Sequence, residues 1–149
     1  GDTGRLGVLF GSASLPATGD LWDIADLELR GSAGNERVGT RAAAADLDGD
    51  GVGDLLVSAP GWDGPLGGDQ GRVGLFAGPL SASSTPLQVS DAGMILVGEA
   101  GGDALGTTLA ALPDANGDGA PDAWLASPYN DAGAAGGGRL HLLLGIAGP

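Results

Sequence analysis

The chain has 149 residues, a length typical of one domain, and 31 of them are glycine. Nineteen acidic residues face six arginines with no lysine, which gives a formal net charge of −13 at pH 7 and argues strongly against nucleic-acid binding. The absence of cysteine excludes disulfides and thiol chemistry, and no apolar run reaches the roughly 18 residues of a membrane span.

Composition also predicts the fold class. The hydrophobic fraction of 42% argues against disorder despite the high glycine content, so many short strands joined by glycine-rich turns are expected. Asp outnumbers Glu by 16 to 3, and Asp favours turns and metal-binding loops over helices. We therefore predict an all-β chain.

An internal repeat organises the sequence. The segment GRLGVLFG at 4–11 returns as GRVGLFAG at 71–78 and as GRLHLLLG at 138–145, so successive copies start 67 residues apart. The acidic segment DLDGDGVGD at 46–54 returns as DANGDGAPD at 114–122 with an offset of 68. The chain is thus predicted to hold a partial repeat (1–37), one full repeat (38–104) and a second repeat that lacks its last strand (105–149).

Each full repeat is predicted to form four short antiparallel strands bounded by Gly, Pro or Asp turns. In chain order the predicted strands lie near Leu27–Arg30, Thr40–Ala45, Asp54–Ala59, Arg72–Ala77, Met94–Val97, Thr107–Ala111, Asp122–Ser127 and Arg139–Leu144. A third-strand segment at the start of the chain precedes them. The order of strands is therefore 3-4, then 1-2-3-4, then 1-2-3, which leaves open strand edges at both ends.

The two acidic segments share the pattern D-x-[DN]-G-D-G-x-x-D. Side chains at positions 1, 3 and 5 point inward when a loop wraps one centre, and the glycines permit the bend. Position 9 adds a carboxylate, and position 7 offers a backbone carbonyl. The candidate ligands are Asp46, Asp48, Asp50, Val52 and Asp54 in the first loop, and Asp114, Asn116, Asp118, Ala120 and Asp122 in the second. This set of hard oxygen donors predicts two Ca²⁺ ions, one per loop.

At this point the residues resemble a known family. VGTRAAAADLDGDGVGDLLVSAP followed by GRVGLFAG is similar to the FG-GAP repeat, the blade of the integrin α-subunit β-propeller. The resemblance implies tandem four-stranded blade-like sheets whose Ca²⁺ loop joins the first and second strands, with the ligand positions given above. The family's phenylalanine is replaced by Val38 and Leu105, and its GAP glycine by Ser58 and Ala126.

Two repeats are too few to close the seven-blade ring that this resemblance implies. Three arrangements remain open: a fragment of a longer array, a ring closed by several copies, or a compact packing of two sheets. In the last, which we favour, the N-terminal strands complete the final sheet.

Three functions are compatible with the sequence. The favoured one is a calcium-stabilised extracellular or cell-surface module with a structural or adhesion role, whose ligand is a protein or carbohydrate. Trp62 and Tyr129, on loops after the second strand, are candidate contacts or edge covers, whereas Trp124 is expected in the core. The alternatives are self-assembly through open strand edges, or an accessory domain of a larger secreted enzyme. No catalytic motif is present, and His141 reads as an ordinary strand residue.

Overall fold

The structure, a computed structural model, describes residues 2–11, 18–133 and 135–146, and short strands dominate it. One short helix, α1 (Leu21–Ile24), and one turn of 3-10 helix at Val89–Asp91 accompany them. The strands are β1 (Arg5–Val8), β2 (Leu27–Arg30), β3 (Ala42–Ala45), β4 (Asp54–Ala59), β5 (Arg72–Phe76), β6 (Leu87–Gln88), β7 (Met94–Val97), β8 (Thr108–Leu112), β9 (Asp122–Ser127) and β10 (Arg139–Leu143). The all-β prediction is confirmed, and the predicted strands lie within two residues of their observed bounds.

The part of the chain that the structure describes forms three separate sheets, and none of these closes into a barrel. The first has the order β1-β2-β6, the second β3-β4-β5-β7 and the third β10-β9-β8. All neighbours are antiparallel except β2 and β6, which are parallel. The second sheet has four strands and forms a complete blade, whereas the first and third have three strands each and are incomplete. The first sheet takes β6 from residues 38–104, so it is not formed by the predicted partial repeat alone.

The second sheet lies between the other two, and its strand β4 shows why. Successive side chains of a strand point to opposite faces, and β4 is apolar at both. Val57 is buried in a cluster with Leu29 of the first sheet, whereas Leu56 is buried with Leu125 of the third. Each incomplete sheet buries one face against the complete blade.

The favoured arrangement of two packed sheets is wrong. The N-terminal strands β1 and β2 pair with each other and with β6, not with β10. In the described part of the chain, the outer edge of β10 therefore has no strand partner. The reason is that the apolar face of β1 and β2 is needed to cover the first face of the central sheet.

The glycines at 39 and 106 explain how one sheet meets the next. Each has a positive φ (82° and 90°) and donates its N–H to a carbonyl of the second strand, that of Ser58 or Ala126, at 3.0 Å. A Cβ at Gly39 would lie 2.8 Å from the Arg5 carbonyl oxygen of the preceding sheet. Only glycine allows this approach.

Helices of the kind that span a bilayer were looked for among the described residues, and none is both long and apolar enough.

Candidate metal centre

Both acidic segments connect the first and second strands of a sheet. The segment at 46–54 follows β3 and ends on the first residue of β4, and the segment at 114–122 joins β8 to β9 in the same way. Strand pairing fixes both ends of each segment, so the acidic side chains between them are confined to a small volume.

The first loop gathers three carboxylates. Asp46, Asp48 and Asp50 each offer one oxygen, and these oxygens lie within 4.8 Å of one another. At an effective dielectric near 20, like charges at this spacing repel by a few kcal/mol per pair (order of magnitude). The cluster could hold a metal ion, which would relieve this repulsion.

Backbone hydrogen bonds shape the first loop. The Gly51 N–H donates to Asp46 Oδ2 (2.9 Å), and the Val52 N–H donates to Asp50 Oδ1 (2.7 Å). Gly51 adopts φ +87°, so the chain turns sharply between these two donors. These bonds orient the Asp46 and Asp50 carboxylates.

One oxygen of this cluster indicates that a cation fits. Asp46 Oδ1 is buried and has no hydrogen-bond partner among the described residues. A buried carboxylate oxygen without a donor is costly, and a hard divalent cation such as Ca²⁺ is a suitable partner. The donor set and this unpaired oxygen agree with each other.

Asp54, the residue at position 9, has a different environment from the cluster. Its side chain is buried, with 2% of its surface exposed. Its Oδ2 accepts the Leu47 N–H at 2.8 Å, and its Oδ1 accepts the Gly78 N–H at 2.9 Å. Asp54 therefore ties the start of the loop and the end of β5 to β4. Its role as a metal ligand stays a prediction, as does that of the Val52 carbonyl.

The second loop repeats this anchor. Asp122 is buried, its Oδ2 accepts the Ala115 N–H at 2.6 Å, and its Oδ1 accepts the Gly145 N–H at 2.9 Å. The glycine is required because a Cβ at position 145 would lie 2.1 Å from the Pro121 carbonyl oxygen. Thus the terminal glycine of the repeated strand motif packs against the acidic loop.

Residues 114–119 of the second loop form hydrogen bonds that differ from those of the first loop. The Asn116 amide donates through Nδ2 to Asp118 Oδ2 (2.9 Å), a bond that no aspartate could make. Asp114 accepts the Gly119 N–H at 2.8 Å and the Gly117 N–H at 2.6 Å. These bonds, that of Gly119 foremost, hold the pKa of Asp114 below its usual value. The loop brings Asp114, Asn116 and Asp118 together, and the contribution of Ala120 stays a prediction.

The aromatic candidates have unequal positions. Trp62 is half-buried, packs against the first core cluster and stacks on Arg72. Tyr129 is 65% exposed and stays a candidate contact. Trp124 is half-buried on the outer face of the third sheet, so its expected place in the core is wrong.

Sequence reasoning missed a second class of polar residues. Glu36 and Asp103 are buried acids in the loops that carry the chain from one sheet to the next. The repeat could have identified them, because Glu36 and Asp103 are 67 residues apart, which is the spacing of the other repeated positions. Asn130, also buried, hydrogen-bonds to Asp103 at 2.9 Å.

Comparison with known proteins bears on the first loop. Residues 38–76 match the model of the FG-GAP repeat, a segment that contains β3, the first acidic loop, β4 and β5. No curated protein matched the chain. The matched family is a structural and ligand-binding repeat, not a catalytic family, and the match agrees with the blade-like sheet that these residues form.

Proposed function

We propose, on the premise that residues 38–76 form an FG-GAP repeat, that this chain is a calcium-binding structural module of an extracellular or cell-surface protein. The observation that carries the proposal is the group of three carboxylates in the first loop, one of which has a buried oxygen that no described residue donates to. FG-GAP repeats occur in extracellular or surface proteins, where millimolar Ca²⁺ saturates sites of modest affinity.

Ca²⁺, when bound, supplies the positive charge that the loops lack. In the first loop we assign it to Asp46, Asp48, Asp50 and Asp54 and to the Val52 carbonyl. The corresponding set in the second loop is Asp114, Asn116, Asp118, Asp122 and the Ala120 carbonyl. Ligand binding to the folded state alone raises its free energy of unfolding, by about 2.7 kcal/mol at one hundred times the Kd.

Calorimetric titration and thermal melting with Ca²⁺ test this proposal. We expect about two equivalents of Ca²⁺ and a rise in Tm at millimolar concentration. Asp50→Ala and Asp118→Ala should each remove about one equivalent, whereas Asp23→Ala, an exposed acid on α1, should remove none. An unchanged Tm and no heat of binding at 10 mM Ca²⁺ would contradict the proposal.

A recognition role is the second part of the proposal. We infer that the module binds a protein or carbohydrate ligand through the loops after the second strands, and the exposure of Tyr129 supports this. The inference does not require catalysis. It applies equally if the module is an accessory domain of a larger secreted enzyme.

Self-assembly is a second candidate, and one observation favours it. Leu140 and Leu142 are exposed on the third sheet, and they correspond in the repeat to Val73 and Leu75, which pack between the second and third sheets. A second copy of the chain would cover this face in a manner continuous with that interface. Light scattering tests it: a dimer that Leu140→Lys dissociates supports assembly, and a monomer at millimolar concentration contradicts it.

A further inference from the structure

Two loops carry the chain between sheets, and each is built around one buried acid. The first junction is the loop 31–41 with Glu36, and the second junction is the loop 98–107 with Asp103. Glu36 accepts two backbone N–H groups at 3.1 Å, and Asp103 accepts two at 2.8 and 2.9 Å. In both junctions, therefore, one buried carboxylate binds two backbone N–H groups of its own loop.

The first junction is filled by the chain's own arginines. Arg72 places Nη2 3.2 Å from Glu36 Oε2, and its guanidinium carbon lies 4.9 Å from the centre of the Trp62 ring. Arg37 covers Gly61 so closely that a Cβ there would lie 2.6 Å from Arg37 Nε. The Arg72 guanidinium thus lies between the Glu36 carboxylate and the Trp62 ring, while the Arg37 guanidinium binds Asp69 at the surface.

The second junction lacks these cations. Ala104 stands in place of Arg37, and Tyr129 stands in place of Gly61. Arg139 corresponds to Arg72, but its guanidinium is bound to Glu99 at the surface. What remains is an open cavity of about 370 Å³ lined by Glu99, Ala100, Gly101, Asp103, Tyr129, Asn130, Asp131 and Ala132.

Carboxylates outnumber cations at this cavity, because Arg139 pairs with Glu99 alone. Asp103 is only 2% exposed, and its Oδ2 accepts all of its described hydrogen bonds, from Glu99 N, Ala100 N and Asn130 Nδ2. Its Oδ1 accepts no hydrogen bond among the described residues and, unlike Asp46 Oδ1, is not sealed from solvent. Glu99, which Arg139 already binds, and Asp131 add two further carboxylates to the lining. A carboxylate oxygen that is open to a cavity can accept a hydrogen bond from a cationic donor.

We propose that the second junction binds the guanidinium group of an arginine side chain from a partner protein. The planar fork of a guanidinium donates to carboxylates and stacks on an aromatic face, which matches Asp103, Glu99 and Tyr129 better than a compact ammonium does. The first junction shows the same chemistry within the chain. This inference rests on the recognition part of the proposed function and is independent of its calcium part.

The test uses N-acetyl-argininamide as the probe and the uncharged N-acetyl-citrullinamide as the control, with amide NMR shifts of the full chain. We expect saturable shifts confined to residues 99–104 and 129–132 with the arginine compound alone. Tyr129→Ala should weaken binding at least threefold, whereas Asp23→Ala should leave it unchanged. Arg139→Ala, which frees Glu99, should strengthen binding about threefold.

The following results would overturn the proposal. Equal shifts with the citrulline compound would show that charge is irrelevant, and equal Kd values for the chain and for Tyr129→Ala would place binding elsewhere. Repeating the titration in EDTA and in 5 mM Ca²⁺ separates the two hypotheses. Arginine binding without a Ca²⁺-dependent rise in Tm would contradict only the calcium role, and the reverse result would contradict only this site.

Discussion

The two acidic loops have nearly the same sequence pattern and different internal chemistry. In the first, three carboxylates converge, and Asp46 Oδ1 has no donor among the described residues. In the second, the Asn116 amide at the middle position donates to Asp118. One replacement of a carboxylate by an amide removes a charge and adds a donor, so the second loop satisfies part of its own acceptors. The comparison teaches that ligand count alone does not set the need for a cation.

The bases of the two loops, by contrast, are the same. Asp54 and Asp122 each accept two backbone N–H groups from segments on either side of the loop. This anchor does not depend on the residue at the middle position. The scaffold is therefore shared, and the difference lies in the exposed part of each loop.

The largest expected effect comes from breaking the shared anchor. Asp54→Ala should lower the free energy of unfolding by about 3 kcal/mol, because two backbone N–H groups lose their buried acceptor, and Asp122→Ala should cost a similar amount. Urea unfolding in EDTA measures this in the absence of any metal, with Asp23→Ala as the exposed control. A loss seen only when Ca²⁺ is present would show that these carboxylates act as ligands rather than as anchors.

Exchanging the middle residues should exchange the behaviour of the loops. Asn116→Asp removes the amide donor and adds a ligand charge, so the Ca²⁺ affinity of the second loop should rise by about tenfold. Asp48→Asn should lower that of the first loop by a similar factor. Calorimetry on each variant, with the other loop disabled by Asp50→Ala or Asp118→Ala, measures both. Unchanged affinities would mean that the amide has no bearing on the difference.

Replacing the glycine with positive φ near the end of each acidic loop should destabilise both loops equally. Gly51 and Gly119 have φ values of +87° and +97°, and a Cβ on either would meet no atom within 4 Å. Alanine at each position should therefore cost about 1 kcal/mol, from backbone strain alone. Thermal melting in EDTA measures the two variants. A cost confined to one loop would show that the loops differ in backbone conformation as well as in side chains.

The smallest expected effect is a pH dependence from Asp114. Hydrogen bonds, first from Gly119, lower the pKa of this carboxyl in the folded chain. Its contribution to stability is therefore present above the unfolded pKa and is lost as the pH falls through the folded pKa. Side-chain ¹³C NMR between pH 2 and 6 in EDTA should show Asp114 titrating below the usual pKa of an aspartate side chain. A midpoint at the usual value would contradict the hydrogen bonds of the second loop.

The strands were predictable because their signals are local. Asp54–Ala59 and Asp122–Ser127 are apolar runs between turn residues, and they were predicted with their observed bounds. The arrangement of the sheets was not predictable. It depends on Leu87–Gln88, two residues too short to carry an alternating pattern, which pair with β2. The four-residue helix α1 is likewise too short to show helical periodicity.

The site was predictable in position but not in chemistry. The repeat and the spacing of the acidic residues located both loops, because each loop only connects two neighbouring strands whose positions were themselves predictable. Whether Asn116 donates to Asp118, and whether Asp46 has a buried free oxygen, depends on side-chain geometry that the shared pattern leaves open. The register of Glu36 with Asp103 was visible in the repeat, yet their burial follows only from the meeting of two sheets.

The central sheet is covered on both faces, whereas its neighbours are covered on one. Tryptophan fluorescence can show whether the sheets unfold at different temperatures for this reason. Each of the three tryptophans lies in a different layer: Trp22 on α1 beside β1, Trp62 against the first core cluster, and Trp124 on β9. Chains that keep one tryptophan at a time would report separate melting curves. We expect the outer reporters to change at a lower temperature than the inner one, as in a three-layer stack that frays from its ends.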